Sequence, residues 1–338
     1  MLNIYNSINL PILKKELDRL ELKLKESVSG YDTFLDEVAL HLINAGGKRI
    51  RPCLTILSSL ADFEGTIDES MEVVSADVIT GAVAIELVHL ASLYHDDVMD
   101  EATQRRNVES VNSKWGNLVA IVTGDYLLAK SASIAASLGS VVASLLANAL
   151  SELCAGQISE VNKAFNPNRT LEEYFNSIGG KTASLMSTAC HIGAIIGNVS
   201  DSTIKELVDI GTYLGYIFQI RDDILDVAAN FDKLGKSPGQ DLAEGIYNLP
   251  AILAMNDPIY GSAVTKKLGK VLNDQDMTEV SDLIKSTDSI KESLKYIESY
   301  LEILISSTKN IKSEQVKESF VNLGIQLAED AREVLTEI

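Results

Sequence analysis

Twice in this chain an apolar run closes on carboxylates at the same spacing. The first stretch, Glu86 to Asp100, ends in Asp96, Asp97 and Asp100. The second, Gln219 to Asp226, ends in Asp222, Asp223 and Asp226. At about 100° per residue, a helix puts His89, Ser92, Asp96 and Asp100 on one face. Gln219, Asp222, Asp223 and Asp226 likewise share a face, with Phe218, Ile220, Ile224 and Leu225 giving apolar surface around the rest of the turn. Carboxylates stacked a turn apart repel one another, so a cation belongs between or in front of them. Mg2+ keeps several waters and typically takes one or two carboxylates plus substrate phosphates. One such cluster alone is more often a solvated acidic helix end. Two, each closing an apolar helical run, point to a Mg2+–diphosphate site clamped between two helices.

The rest of the chain favours helices. Only six prolines interrupt 338 residues, and 46% hydrophobic content allows a large core. Few period-2 runs bounded by turn residues occur, so no strand is required. A net charge of −19 argues against non-specific nucleic-acid binding. It leaves an anionic substrate open, because metal and a local basic cluster can reverse the field at a site. Cys53, Cys154 and Cys190 are widely separated and form neither a metal spacing nor a disulfide framework, which fits a reducing cytoplasm. No basic-then-apolar secretory signal opens the sequence. Ser131–Ser151 and Thr182–Ser200 are charge-free and long enough to span a bilayer. Ser, Asn and Gly dilute both, so buried helices rather than transmembrane segments are expected. No repeat or composition shift divides the chain, so residues 1–338 are expected to form a single domain.

In chain order, helices are expected over Leu10–Val28 and Tyr31–Asn44, the latter stopping at Gly46-Gly47. Lys48-Arg49-Ile50-Arg51-Pro52 is the densest basic run. It reads equally as a solvated turn or as an anion clamp, in which glycines let the backbone approach and Lys and Arg meet phosphate oxygens. Further helices are expected at Cys53–Ala61, Met71–Asp100, Asn117–Leu138 and Ser140–Lys163. Arg105 and Arg106 fall in the loop after the first acidic cluster, placed to meet a phosphate held there. Thr170-Leu-Glu-Glu173 and Thr203-Ile-Lys-Glu206 are capping-box signatures. Gly179-Gly180-Lys181-Thr182 suggests a local helix break with a phosphate contact, or a kinked core helix with an exposed Lys. Phe231–Asn248 reads as a loop that could act as a lid over a metal site. Four or five helical segments follow Pro250.

These motifs, in this order over about Ala45 to Pro250, resemble the trans-isoprenyl diphosphate synthase (polyprenyl synthetase) family of the long-chain bacterial type. Gly46-Gly47-Lys48-Arg49-Ile-Arg51-Pro52 is similar to its basic motif, and the two acidic clusters to its aspartate-rich motifs. Lys181-Thr182, Phe218-Gln219 and Gly235-Lys236 fall where the family keeps phosphate contacts. The resemblance implies an all-α bundle around a deep central cavity, usually a homodimer. It implies that an allylic diphosphate ionises and is attacked by isopentenyl diphosphate, giving a product five carbons longer. By the same resemblance Asp96, Asp100 and Asp222 hold Mg2+, with Asp97, Asp223 and Asp226 in support. Arg105, Lys181, Thr182, Gln219 and Lys236 hold the allylic diphosphate, and Lys48, Arg51, His89 and Arg106 hold isopentenyl diphosphate. Asp96, Asp100, Asp222 and Lys181 are the expected catalytic set.

The chain departs from the family pattern at Asn107 and Glu109, where Gly and a nearby Pro are usual. It also departs at Ile246 and Asn248, where Lys and Thr are often found. Ala91 and Ser92, one turn before Asp96, are small, and Val88 lies a further turn below. In this family a bulky aromatic there stops growth early, so a medium-to-long polyprenyl product is expected. Two alternatives are weighed. A terpene cyclase needs no second-substrate clamp, and the Lys48–Arg51 run argues against it. A non-catalytic subunit of a heteromeric synthase is expected to lose aspartates, and both clusters here are complete.

Overall fold

The computed structural model describes residues 7–228 and 239–335. It is 74% helical, in keeping with the all-α expectation. Helix α1 (Leu13–Val28) turns Leu17, Leu20, Leu24 and Val28 inward and its charged side chains mostly outward. Helix α2 (Thr33–Asn44) starts at Asp32, whose carboxylate accepts from the Phe34 and Leu35 amides. Such a cap satisfies donors that a helix start leaves unpaired. Helix α3 (Ile50–Ser59) begins at Ile50 rather than Cys53. Pro52 sits in its first turn, where a missing amide breaks no helical bond.

Helix α4 (Ala76–Met99) is capped by Ser75 and buried on nearly every side. A two-residue-per-strand hairpin follows, which the sequence pattern did not require. Gln104–Arg105 (β1) pairs antiparallel with Val108–Glu109 (β2). The loop residues Arg106 and Asn107 have φ of 55° and 62°, the left-handed pair that a tight hairpin turn needs. Asn tolerates that conformation, so Asn107 can stand where the family usually has Gly.

Helix α5 (Val111–Trp115) is short, and α6 (Asn117–Ser137) and α7 (Ser140–Val161) are long. Gly139, at φ 108°, separates α6 from α7, so Ser131–Ser151 is not one helix. Helix α8 (Leu171–Ile178) carries the expected capping box, with both the Thr170 and Glu173 halves formed. A π-helical turn, Gly179–Ala183, joins α8 to α9 (Ser184–Ile196). The expected break is therefore a widening of one continuous helix.

Helix α10 (Asp201–Ala228) carries the second cluster. Its expected capping box does not form, because the helix already starts at Asp201. Thr203 lies inside it, buried, with its hydroxyl on Asp62 Oδ1 at 3.2 Å. Glu206 instead accepts from the Asn310 amide and side chain at 2.9 and 2.7 Å. The described chain ends in α11 (Gln240–Ala243), α12 (Leu249–Met255), α13 (Gly261–Lys267), α14 (Asp274–Lys285), α15 (Ser289–Ser306) and α16 (Glu314–Leu335). The five helices from Leu249 onward match the sequence expectation.

Helix α4 packs chiefly on α6 and α3, with α9 behind it; α10 packs on α9, α15 and α16. The two acidic helices thus flank α9 and share one core. By length and composition alone, α4, α6 and α7 could each cross a membrane, although neither charge-free stretch seen in the sequence forms such a helix. Most of the apolar window of α4 is buried inside the molecule. In α6 and α7 the buried share is only 33% and 22%. Leu118, Ile121, Val122, Val141, Ile158 and Val161 lie exposed on that pair.

Candidate active site

The first cluster sits on the last turn of α4. Asp96 is largely desolvated, and burial pushes its carboxyl up to about 6. Lys181 and Arg105 oppose that shift, while Asp100 and Asp97 add to it. Asp97 is buried and serves Arg105, which holds its Oδ1 at 2.6 Å. Its Oδ2 has no hydrogen bond. Asp100 ends the helix, exposed, as its C-cap.

The second cluster sits on the last turns of α10. Asp223 is the centre of a buried relay. Tyr174 on α8 donates to its Oδ2 at 2.6 Å, and Gln219 Nε2 donates to its Oδ1 at 2.9 Å. Thr182 in turn donates to Gln219 Oε1 at 2.7 Å. Burial pushes Asp223 up to about 7; the Tyr174 and Gln219 bonds work against this, and Asp222 and Glu160 add to it. Asp222 meets Arg221 at 2.5 Å, and Arg221 also holds Asp330 at 2.6 Å. Asp226 is buried, and its Oδ2 accepts from the Asp241 amide at 3.3 Å.

Lys181 links the two clusters. Its Nζ lies 2.6 Å from Glu160 Oε2 on α7. Burial alone would lower its pKa, but Glu160, then Asp96 and Asp100, raise it overall. The π turn that presents Lys181 is pressed against α7, where a Cβ at Gly156 would come within 2.5 Å of the Lys181 amide nitrogen. Only glycine lets the two backbones approach this closely.

The basic residues form a cluster beside α4. Arg51 Nε is buried without a hydrogen-bond partner among the described residues, and burial drives the guanidinium down to about 10, still charged at neutral pH. Burial, then Arg51, Arg106, Arg49 and Arg105, hold His89 well below its ordinary value. Its imidazole is therefore neutral at pH 7. Arg106 donates to the Gly46 and Leu42 carbonyls, stapling the hairpin to the Gly46-Gly47 turn. A Cβ on Gly47 would lie 2.9 Å from that guanidinium. Lys48 is exposed, within electrostatic reach of Arg221, Asp222 and Asp330. Arg49, in the same basic run, is a strut: it pairs with Glu86 at 2.8 Å and Glu21 at 2.5 Å.

The expected site residues thus fall into the carboxylate ends of α4 and α10, with Lys181 beside the first, and a basic cluster around His89. Lys236 lies outside the described residues. Glu160, Tyr174 and Arg169 were not anticipated, because each meets the site only through tertiary packing. Among the described residues no three carboxylate, imidazole or thiol groups close on one point. The carboxylate oxygens suit a hard cation, and an open donor set fits one that completes its shell with water and phosphate.

The polyprenyl synthetase family pattern matches residues 32–310. Heptaprenyl diphosphate synthase component 2 of Geobacillus stearothermophilus is 38% identical over 291 residues, 86% of this chain and 88% of that one. The heptaprenyl diphosphate synthase of Staphylococcus aureus superposes with a TM-score of 0.85 at 30% identity, covering 97% of this chain and 98% of the other. A geranylgeranyl pyrophosphate synthase from Corynebacterium glutamicum, solved with calcium and isoprenyl diphosphate, gives 0.80 at 32% identity, over 94% and 95% of the two chains. The chain belongs to the polyprenyl synthetase family, and its enzymatic class is that of the prenyltransferases.

Proposed function

We propose that this chain condenses isopentenyl diphosphate with an allylic diphosphate, head to tail and in trans, to give a medium-to-long polyprenyl diphosphate. The observation that carries this is the pairing of two carboxylate clusters, with Lys181 beside Asp96 and Asp100, with a separate arginine cluster around His89. One diphosphate needs metal and lysine because it must leave; the other needs only to be held. Asp96, Asp100 and Asp222 are the residues to hold Mg2+. When bound, Mg2+ neutralises the charge that builds on the departing diphosphate. Lys181, Thr182, Gln219 and Arg105 bind and orient the allylic diphosphate, adding fixed positive charge and donors where negative charge develops. Arg51, His89, Arg106 and Lys48 take isopentenyl diphosphate.

The exposed apolar side chains of α6 and α7 favour a second copy of the chain on that face. Replacing Val122 with Asp is expected to yield monomer by analytical ultracentrifugation, and an unaltered dimer would move the interface elsewhere. A heteromeric assembly is the second reading, favoured by the word "component" in the Geobacillus relative's name. The intact acidic clusters make this chain the catalytic member in either case.

The deciding assay supplies purified protein with isopentenyl diphosphate, Mg2+ and dimethylallyl, geranyl or farnesyl diphosphate in turn. Products longer than the primer, sized after dephosphorylation, are the expected result. Ser92 is partly open on the Asp96 face, whereas Ala91 is fully buried. Ser92→Phe should therefore shorten the products without disturbing the core. Cyclised hydrocarbon would overturn the elongation reading, and activity only with a second subunit would establish the heteromer.

A further inference from the structure

Arg169 precedes the N-cap of α8 and is only 4% exposed. Its Nη1 donates to the Tyr247 carbonyl at 3.0 Å. Its guanidinium lies 5.7 Å from the centre of the Tyr174 ring, which fixes its plane without satisfying its other donors. Nε and Nη2 are buried and, among the described residues, have no hydrogen-bond partner. A guanidinium stays charged in a protein, and buried charged donors without partners are costly. A fold keeps such a fork where an anion visits it.

The fork lines a cavity of about 60 Å3 together with Lys181, Gln219, Asp223 and Ile246. That is several times the space one ordered water needs. Arg169 therefore borders the same cavity as Lys181 and Gln219, the residues assigned above to the allylic diphosphate. Two acids also border the cavity, Glu160 and Asp241. Glu160 is held by Lys181, and Asp241 accepts from Asn248 Nδ2 at 3.3 Å. Ile246 brings no charge at the position where the family resemblance implies a lysine.

We propose that Arg169 is a substrate-binding residue, one whose Nε and Nη2 take phosphate oxygens of the allylic diphosphate and replace the cation absent at position 246. This rests on the prenyl-elongating function given above. The planar fork suits two oxygens of one phosphate group. Arg169 is anchored on the carbonyl of Tyr247, the neighbour of Ile246, so its fork sits beside the position that lacks a cation.

The test uses the full chain and inorganic pyrophosphate with Mg2+, titrated by calorimetry, alongside steady-state kinetics. Arg169→Gln should weaken pyrophosphate binding and raise the KM for the allylic substrate by roughly 10- to 100-fold. The KM for isopentenyl diphosphate should stay unchanged. Adding Ile246→Lys to that variant should restore most of the loss, which a purely structural arginine would not allow. Wild-type pyrophosphate affinity in Arg169→Gln would overturn the proposal. So would an equal rise in both KM values that Ile246→Lys does not reverse. If Arg169→Gln fails to fold, Arg169→Lys decides, since it keeps a cation and a donor for Tyr247. A several-fold loss of pyrophosphate affinity at unchanged melting temperature then supports the fork, and unchanged affinity overturns it. A wild-type protein that neither binds pyrophosphate nor elongates would overturn the elongation reading itself, and this assignment with it.

Discussion

Asp96→Ala should lower isopentenyl incorporation by roughly 10²- to 10³-fold, the usual effect of losing one group that stabilises transition-state charge. The helical circular-dichroism signal should be unchanged. The reason lies in the sign of the Asp96 shift. Its carboxyl, at about 6 in the fold, starts from about 3.9 in an unfolded chain. A raised value means stability that is present below pH ~3.9 and lost as pH rises through about 6. At neutral pH the ionised side chain burdens the fold, so its removal should not lower the melting temperature. Asp223, at about 7, acts in the same direction. His89 acts oppositely: held well below its ordinary value, it costs stability on acidification. At pH 6.5 Asp223 is largely protonated and Asp96 partly so, so adding a premixed, pH-matched Mg2+–pyrophosphate solution should release protons, measurable with an indicator dye. Asp96→Ala should release fewer. Full turnover in that variant would remove Asp96 from the metal site.

The second large effect is expected at Lys181. Its partner Glu160 is only 7% exposed. Removing one side of a buried ion pair costs about 3–5 kcal/mol because the other charge is stranded. The Lys181 side chain is 32% exposed, which brings the expectation for Lys181→Ala nearer ~2–3 kcal/mol. Turnover should fall by about 10²-fold as well. Adding Glu160→Gln should return the melting temperature and leave turnover low, since stability and phosphate contact are then separated. A double variant as active as the wild type would show that Lys181 only neutralises Glu160.

Much of this was legible locally. Asp32, Ser75 and the Thr170–Glu173 box act within one turn of their own helices, so sequence reveals them. Both acidic clusters declare themselves by spacing. The Thr203–Glu206 signature misled because the helix already begins at Asp201, which leaves its acid to a partner at Asn310, 104 residues away in sequence. The hairpin at Arg106-Asn107 has strands too short to show alternation. The Lys181–Glu160 and Arg49–Glu86 pairs were hidden for a different reason. With 48 acidic side chains in the chain, only helix packing decides which one a given cation meets. Arg169 was invisible in the same way, since its meaning depends on what surrounds a cavity.

The π turn at Gly179–Ala183 acts as an angular phase shifter. One extra residue in that turn offsets everything after it by about 100° relative to an uninterrupted α-helix. The helix can therefore bury Tyr174 and Ile178 on one azimuth before the turn and aim Lys181 and Thr182 along another within it. Deleting a single glycine there would leave a better-bonded helix whose lysine faces the wrong neighbour. The irregularity sets the direction of the proposed phosphate contacts, and the backbone of α7, bare of a side chain at Gly156, is what keeps it in register.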